Sequence, residues 1–270
     1  MTVFCRANLN YLPREGPGGG GPSEVEIHDG RSADLPGWEE CGFELLRHAS
    51  SVPEWADDQI AGVHYVEMEE LACKLTGADV ALVSGHITRS PQDARRHHQL
   101  SPITFVHSDF AAGHDSLIRS SYRDPSERAA AALERNGISS EEVAEADRLL
   151  ILQFWRNLGP AKMDHPIAFC DVRTVDPSDG VAFRVTDYAG TGFDFDALGI
   201  RAPEGGSAHR WYAFPAMQRD EVVAFRTYDT DLVRTGGTYF TPHSAFRDPG
   251  VPLDHPPRWS IELRATCLYW

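Results

Sequence analysis

Among twelve histidines only one opens a His-x-Asp triplet, His107-Ser108-Asp109, and no His-x-Glu or His-x-His occurs. The triplet closes the apolar run Ile103-Thr104-Phe105-Val106. On a strand, residues two apart point to the same face, so the imidazole and the carboxylate can converge on one ion. Two imidazoles and one carboxylate, with coordination positions left open, form the donor set suited to iron(II) oxygen chemistry. That set requires a second histidine from elsewhere in the chain.

Two histidines compete for that place. His243, in Pro242-His243-Ser244-Ala245-Phe246, is followed after a Pro-rich turn by Arg258-Trp259-Ser260. A return between antiparallel neighbours would bring the Arg258 guanidinium and the Ser260 hydroxyl near the ion. A planar donor fork matches a carboxylate, so the pair would hold the distal carboxylate of a 2-oxo acid whose other end chelates the metal. His209, in His209-Arg210-Trp211-Tyr212, is the other candidate. His243 is favoured because it directly precedes the Arg-x-Ser strand, whereas Pro215 and another strand follow His209; His209 would then contact cosubstrate or substrate. Arg156, beside Trp155, has two readings, core packing with a buried ion pair or a second anchor for the cosubstrate carboxylate.

Of the other histidines, His86 faces the pocket together with Arg89 in one reading. His64 pairs with Glu67 on a helix surface, His97 and His98 are solvated, and His114, His165 and His255 are loop residues.

The elements that must position these groups are mostly strands. ADVALVSGHITR, PITFVHSDF, HPIAFCDVRTV, GVAFRVTDY, HRWYAFPAM, DEVVAFRTYD, GTYFTPHSAF and RWSIELRATCLYW are short, rich in β-branched and aromatic residues, and punctuated by Gly, Pro and Asp. Helical spacing predicts a helix over Asp57 to Leu75, stopped by Gly77, and helical segments within Pro125 to Leu152, with Ser139/Ser140 capping the second. The pattern is mainly β with flanking helices, a barrel or sandwich. Residues 14–23 are Gly/Pro-rich and read as a flexible loop that tethers the first strand-like piece loosely. One domain over residues 1–270 is expected.

The formal net charge of −15 argues against binding a phosphate backbone. Five scattered cysteines, odd in number, form no CxxC pair, which argues against a disulfide framework or a structural zinc site and fits free thiols in a reducing cytosol. No apolar run reaches membrane-spanning length, and the N-terminus lacks signal-peptide order, so a cytoplasmic protein with no membrane contact is expected.

The ordered set His107-x-Asp109, His243, Arg258-x-Ser260 resembles the iron(II)/2-oxoglutarate-dependent oxygenases. WRNLGPAKMDHPIAFCDVRTV, HRWYAFPAMQRDEVVAFRTYD, PHSAFRDP and RWSIELRA, with VHSDF upstream, narrow the resemblance to their AsaB/CmcJ-type hydroxylase/desaturase family, from about residue 25 to the end. The resemblance implies a double-stranded β-helix (jelly-roll, cupin-like) core. It implies iron(II), 2-oxoglutarate and O2 as the reacting set, and tailoring of a small natural product by hydroxylation, desaturation or related C–H oxidation. A homodimer or a partner enzyme of the same pathway is a further implication. Asn157 stands where relatives often have proline, and Trp259 where they often have glutamate; neither is a proposed ligand. The competing readings are a cupin-type metal dioxygenase that needs no 2-oxo acid and a non-catalytic β-sandwich binding or partner subunit.

Overall fold

The strand order pairs residues far apart in the chain, and this brings His107 and His243 side by side. The computed structural model describes residues 1–13, 21–204 and 209–270. Fourteen strands are present among the described residues. One sheet contains β1 (Val3–Tyr11), β2 (Gly21–Asp29), β6 (His107–Ser108), β8 (Ile167–Cys170), β9 (Gly180–Val185), β10 (Phe195–Ile200), β11 (Trp211–Ala213) and β13 (His243–Ala245). Its order is β1-β2-β11-β8-β13-β6-β10-β9. The other contains β3 (Phe43–Arg47), β4 (Val80–Leu82), β5 (His86–Arg89), β7 (Arg148–Asn157), β12 (Glu221–Asp229) and β14 (Ser260–Tyr269), in the order β3-β12-β7-β14-β4 with β5 also on β14.

The two sheets face each other as a jelly roll. Their inner faces meet in a largely aromatic cluster that includes Phe43, Trp155, Phe169, Tyr212 and Phe225, with Phe43 and Phe169 stacked at 5.4 Å. Aromatic side chains at this density fill the gap and supply much of the apolar burial that drives folding.

On the outer face of the second sheet lies the helix expected from Asp57 onward. It runs as α-helix Asp57–Gln59, a π-helical turn Ile60–His64, and α-helix Tyr65–Thr76. Gly77 ends it in the left-handed region (φ +68°), where a glycine N–H reaches back to the carbonyl of Cys73. Ile60, Met68 and Ala72 bury against Leu152, Phe154, Ile261 and Leu263.

Three expectations need correction here. The helical segment through Leu152 stops at Glu145, and Arg148–Asn157 is instead the central strand β7. Nine of its ten residues are buried, so the two-residue alternation that reveals a strand is absent and its apolar run reads like a continued helix. The capping box at Ser139 and Glu142 is present as expected. Within the Gly/Pro-rich stretch, Gly21–Ser23 open β2, which pairs with β1 from Val3↔His28 to Tyr11↔Gly21; the first strand is held in a ladder, not loosely tethered. Residues 14–20 of that stretch lie outside the described residues. Finally, His114 begins the helix His114–Arg123 and is buried.

Candidate active site

β6 and β13 pair antiparallel with His243 directly opposite His107. Each histidine binds, through Nδ1, the carbonyl two residues before it: Phe105 O at 2.7 Å for His107 and Thr241 O at 3.0 Å for His243. A carbonyl only accepts, so each Nδ1 carries the proton and each Nε2 is left with its lone pair. Asp109, just past β6, places Oδ1 3.9 Å from Nε2 of His107 and 3.8 Å from Nε2 of His243. The three side chains are buried, and their ligand atoms lie within 4.8 Å of one another. Two imidazoles and one carboxylate so placed could hold a single ion, with ring orientation fixed by the hydrogen bonds at Nδ1.

On its other flank His107 pairs with Gly199 of β10. A Cβ at Gly199 would come within 2.5 Å of Leu12 Cδ1 and 2.9 Å of the Phe105 ring. Only glycine leaves space for Phe105, whose carbonyl orients the imidazole.

The electrostatics of the cluster are coupled. Burial, then the neighbouring His243, pushes His107 down to about 4, so its ring is neutral near pH 7. Burial alone would raise the Asp109 carboxyl, but Arg264 and then the two imidazoles outweigh it and hold it well below the usual carboxylate range. Arg264 donates to Oδ2 from Nε (3.0 Å) and Nη2 (2.8 Å). Nothing in the sequence pattern singled out Arg264, because its partner is 155 positions away.

Arg258, Ser260, Glu262 and Arg264 alternate onto one face of β14 and its entry, opposite Asn157, Trp155 and Gln153 of β7. Arg258 donates its backbone N–H to Asp164 Oδ1 and Nη1–H to His165 O, both at 2.8 Å, and stands 5.5 Å from the Trp155 ring centre. Among the described residues it has no carboxylate within ion-pair distance of its guanidinium. Burial, then Arg89, lowers its pKa to about 10. Its Nε, the Ser260 hydroxyl and the Trp155 indole N–H are all buried without a hydrogen-bond partner among the described residues. Glu262 and Asp164 offset part of its burial from a distance, but a buried cation with no carboxylate in ion-pair contact is costly, as are the orphaned donors around it. A carboxylate such as that of a 2-oxo acid would satisfy these donors, so the residues present are compatible with 2-oxoglutarate.

The other two expected residues lie elsewhere. His209 binds Tyr11 and Asp179, at 3.3 Å and 3.2 Å, and is not in the cluster; it lies beyond β10 and before β11, whereas His243 is opposite His107. Arg156 points to the opposite face of β7 from Trp155 and donates to the carbonyls of His48 and Arg219. A one-residue step along a strand reverses the face, which is why the Trp-Arg pair cannot both line the interior. His64 is paired with Glu67 as expected, at 3.0 Å, but His64 is buried and Glu67 half-buried rather than both on the surface. His86 and Arg89 both line the cavity described next.

A cavity of about 680 Å³ opens beside His107, Asp109 and Arg264. Its walls are largely apolar and aromatic, with Phe105, Phe110, Phe183, Phe193 and Phe195 prominent. Two of the arginines that line it are already satisfied, Arg264 by Asp109 and Arg89 by Glu262.

A family model described as an oxidoreductase/YMDC permease-like domain (YDMC) matches residues 18–268. No described helix is long and apolar enough to cross a membrane. The chain is 30% identical over 252 residues to the hydroxylase/desaturase efuI of Hormonema carpetanum, covering 85% of this chain and 77% of that protein. It is 28% identical to the Fe(II)/2-oxoglutarate-dependent dioxygenase nvfI of Aspergillus novofumigatus, covering 97% and 85%. The solved structure of an iron and alpha-ketoglutarate-dependent endoperoxidase, NvfI, superposes with a TM-score of 0.76 at 22% identity, over 100% of this chain and 99% of that one, and so shares the fold. With a relative this similar over most of both chains, and with a family model spanning nearly all of it, the chain belongs to the AsaB/CmcJ-type hydroxylase/desaturase family of iron(II)/2-oxoglutarate-dependent oxygenases.

Proposed function

We propose that His107, Asp109 and His243 hold the iron(II) ion and that Arg258 with Ser260 anchors the distal carboxylate of 2-oxoglutarate. The observation that carries this reading is the convergence of two Nε2 atoms and one carboxylate oxygen at the edge of an apolar cavity. The buried Arg258 on the neighbouring sheet, whose Nε has no hydrogen-bond partner among the described residues, favours an enzyme that uses a 2-oxo acid over one that does not.

Iron, when bound, supplies the oxygen activation that side chains cannot. The protein's own contribution is positional. Phe105 O and Thr241 O fix both imidazoles with Nε2 toward the ion. Arg258 and Ser260 orient the cosubstrate from the opposite sheet, and the aromatic walls exclude water and hold a substrate C–H bond beside the metal. The walls suit a mainly apolar small natural product, acted on by hydroxylation, desaturation or related C–H oxidation within a single oxygenase domain of the cytoplasm.

Succinate formation from 2-oxoglutarate, measured with and without candidate apolar substrates, tests the proposal. Substrate-stimulated succinate release is expected. Turnover that is independent of 2-oxoglutarate would sink the cosubstrate assignment. Unchanged iron(II) affinity in a His107→Ala/Asp109→Ala variant would sink the metal site.

A further inference from the structure

The Asp109 carboxylate has two oxygens with different surroundings. Oδ1 faces the two imidazoles, while Oδ2 takes two N–H bonds from Arg264. Arg264 is itself held in place. Its Nη2 also lies 3.4 Å from Glu262 Oε1, and its Cζ is 5.8 Å from the Phe110 ring centre. Glu262 is gripped in turn by Arg89, at 2.9 and 3.3 Å, and Arg89 is tied to the carbonyls of Gln99 and Ser101 and to the Tyr188 hydroxyl. Asp109, Arg264, Glu262 and Arg89 thus alternate in sign and sum to zero charge in a buried setting. Such a chain is favourable only while every member is paired.

We propose that Arg264 is a positioning residue for the metal centre: by occupying Oδ2 it keeps Asp109 a one-oxygen donor. This rests on the iron-site reading above. Carboxylates bind metals through one oxygen or both. An octahedral ion has six positions. Two imidazoles and one oxygen take three, a chelating 2-oxo acid takes two, and one is left for a diatomic gas. A carboxylate that gave both oxygens would close that last position. The pairing that looks like an ordinary buried ion pair therefore sets how many positions the protein uses.

The test compares wild type with Arg264→Gln and Arg264→Lys, using cobalt(II) as a metal probe and nitric oxide as a probe of the open position in the anaerobic iron(II)/2-oxoglutarate complex. For Arg264→Gln, cobalt(II) affinity is expected to stay within about threefold of wild type, while nitric oxide affinity falls about tenfold or more, as outer-shell changes can do. The visible absorption of the cobalt(II) form should shift toward higher coordination. Arg264→Lys, which keeps the charge but loses the fork, should fall between the two. A smaller loss of nitric oxide affinity, or a loss matched by cobalt(II), overturns the proposal. If Arg264→Gln does not fold, Arg264→Lys decides instead: a loss of nitric oxide affinity of about threefold or more with cobalt(II) affinity unchanged supports the proposal, and a smaller loss overturns it. If neither retains the wild-type circular dichroism, Arg264 serves the fold and the proposal fails. A wild-type protein that binds no cobalt(II) would instead overturn the iron-site reading itself.

Discussion

The rings of His107 and His243 lie with centroids 4.4 Å apart, tilted by 53°, each oriented by a carbonyl two residues earlier in the chain. The two histidines are therefore equivalent in support and should be equivalent in importance. His107→Ala and His243→Ala should each weaken cobalt(II) or iron(II) binding by about 100-fold or more, measured by titration. His209→Ala should leave metal affinity within about twofold, because its ring is engaged by Tyr11 and Asp179 outside the cluster.

Arg258 gives a prediction with opposite signs for stability and binding. Arg258→Met should raise the Kd for 2-oxoglutarate by about 10- to 100-fold, the worth of a charge-assisted fork. Without cosubstrate the same variant should melt no lower than wild type, since it removes a buried guanidinium whose Nε has no hydrogen-bond partner among the described residues. The rise in Tm that 2-oxoglutarate gives the wild type should vanish in the variant. Ser260→Ala should cost about 0.5–1.5 kcal/mol of cosubstrate binding.

Ala197 lies on β10 and lines the cavity. Ala197→Phe should fill part of its roughly 680 Å³ while leaving the metal cluster untouched. Iron(II) and 2-oxoglutarate binding should persist within about twofold, while substrate oxidation falls about tenfold or more through misplacement of the reacting carbon. Product and succinate measured together check this, and the expected sign is succinate in excess of product.

The buried His64 supplies a pH prediction remote from the metal. Burial, opposed by its bond to Glu67, lowers its pKa from 6.5 to about 4. Between those values the unfolded chain takes up a proton that the native state refuses, so stability falls as the pH falls through that window and is full above it. The contribution is roughly 2–3 kcal/mol. Thermal unfolding of metal-free protein from pH 7 to pH 4 should show a shallower decline for His64→Asn than for wild type.

How much of this could be read in advance follows from which interactions are local. His107-x-Asp109 was legible because two-residue spacing on a strand is a local rule, and His243 because it precedes the Arg258-x-Ser260 strand. The placing of Arg258 and Ser260 on the inner face of β14 follows from the same alternation. Arg264 was invisible, because its bond to Asp109 depends on the register between β14 and its neighbours, which no short pattern encodes. β7 was misread for a related reason: buried on both faces, it has no polar beat to count. His114 looked like a loop residue because its helix starts at Gly113 without a side-chain cap, the usual local sign of a helix start.

β14 follows every other strand in the chain, yet it lies inside its sheet, with β7 on one side and β4 and β5 on the other. It also carries Ser260, Glu262 and Arg264, with Arg258 at its entry. Its pairings with β4, β5 and β7 all join residues far apart in the chain, and contacts of such long sequence separation form slowly. One strand thus ties together the ion pair at Asp109 and the groups proposed to hold the cosubstrate, so a slip in its register would move all of them at once.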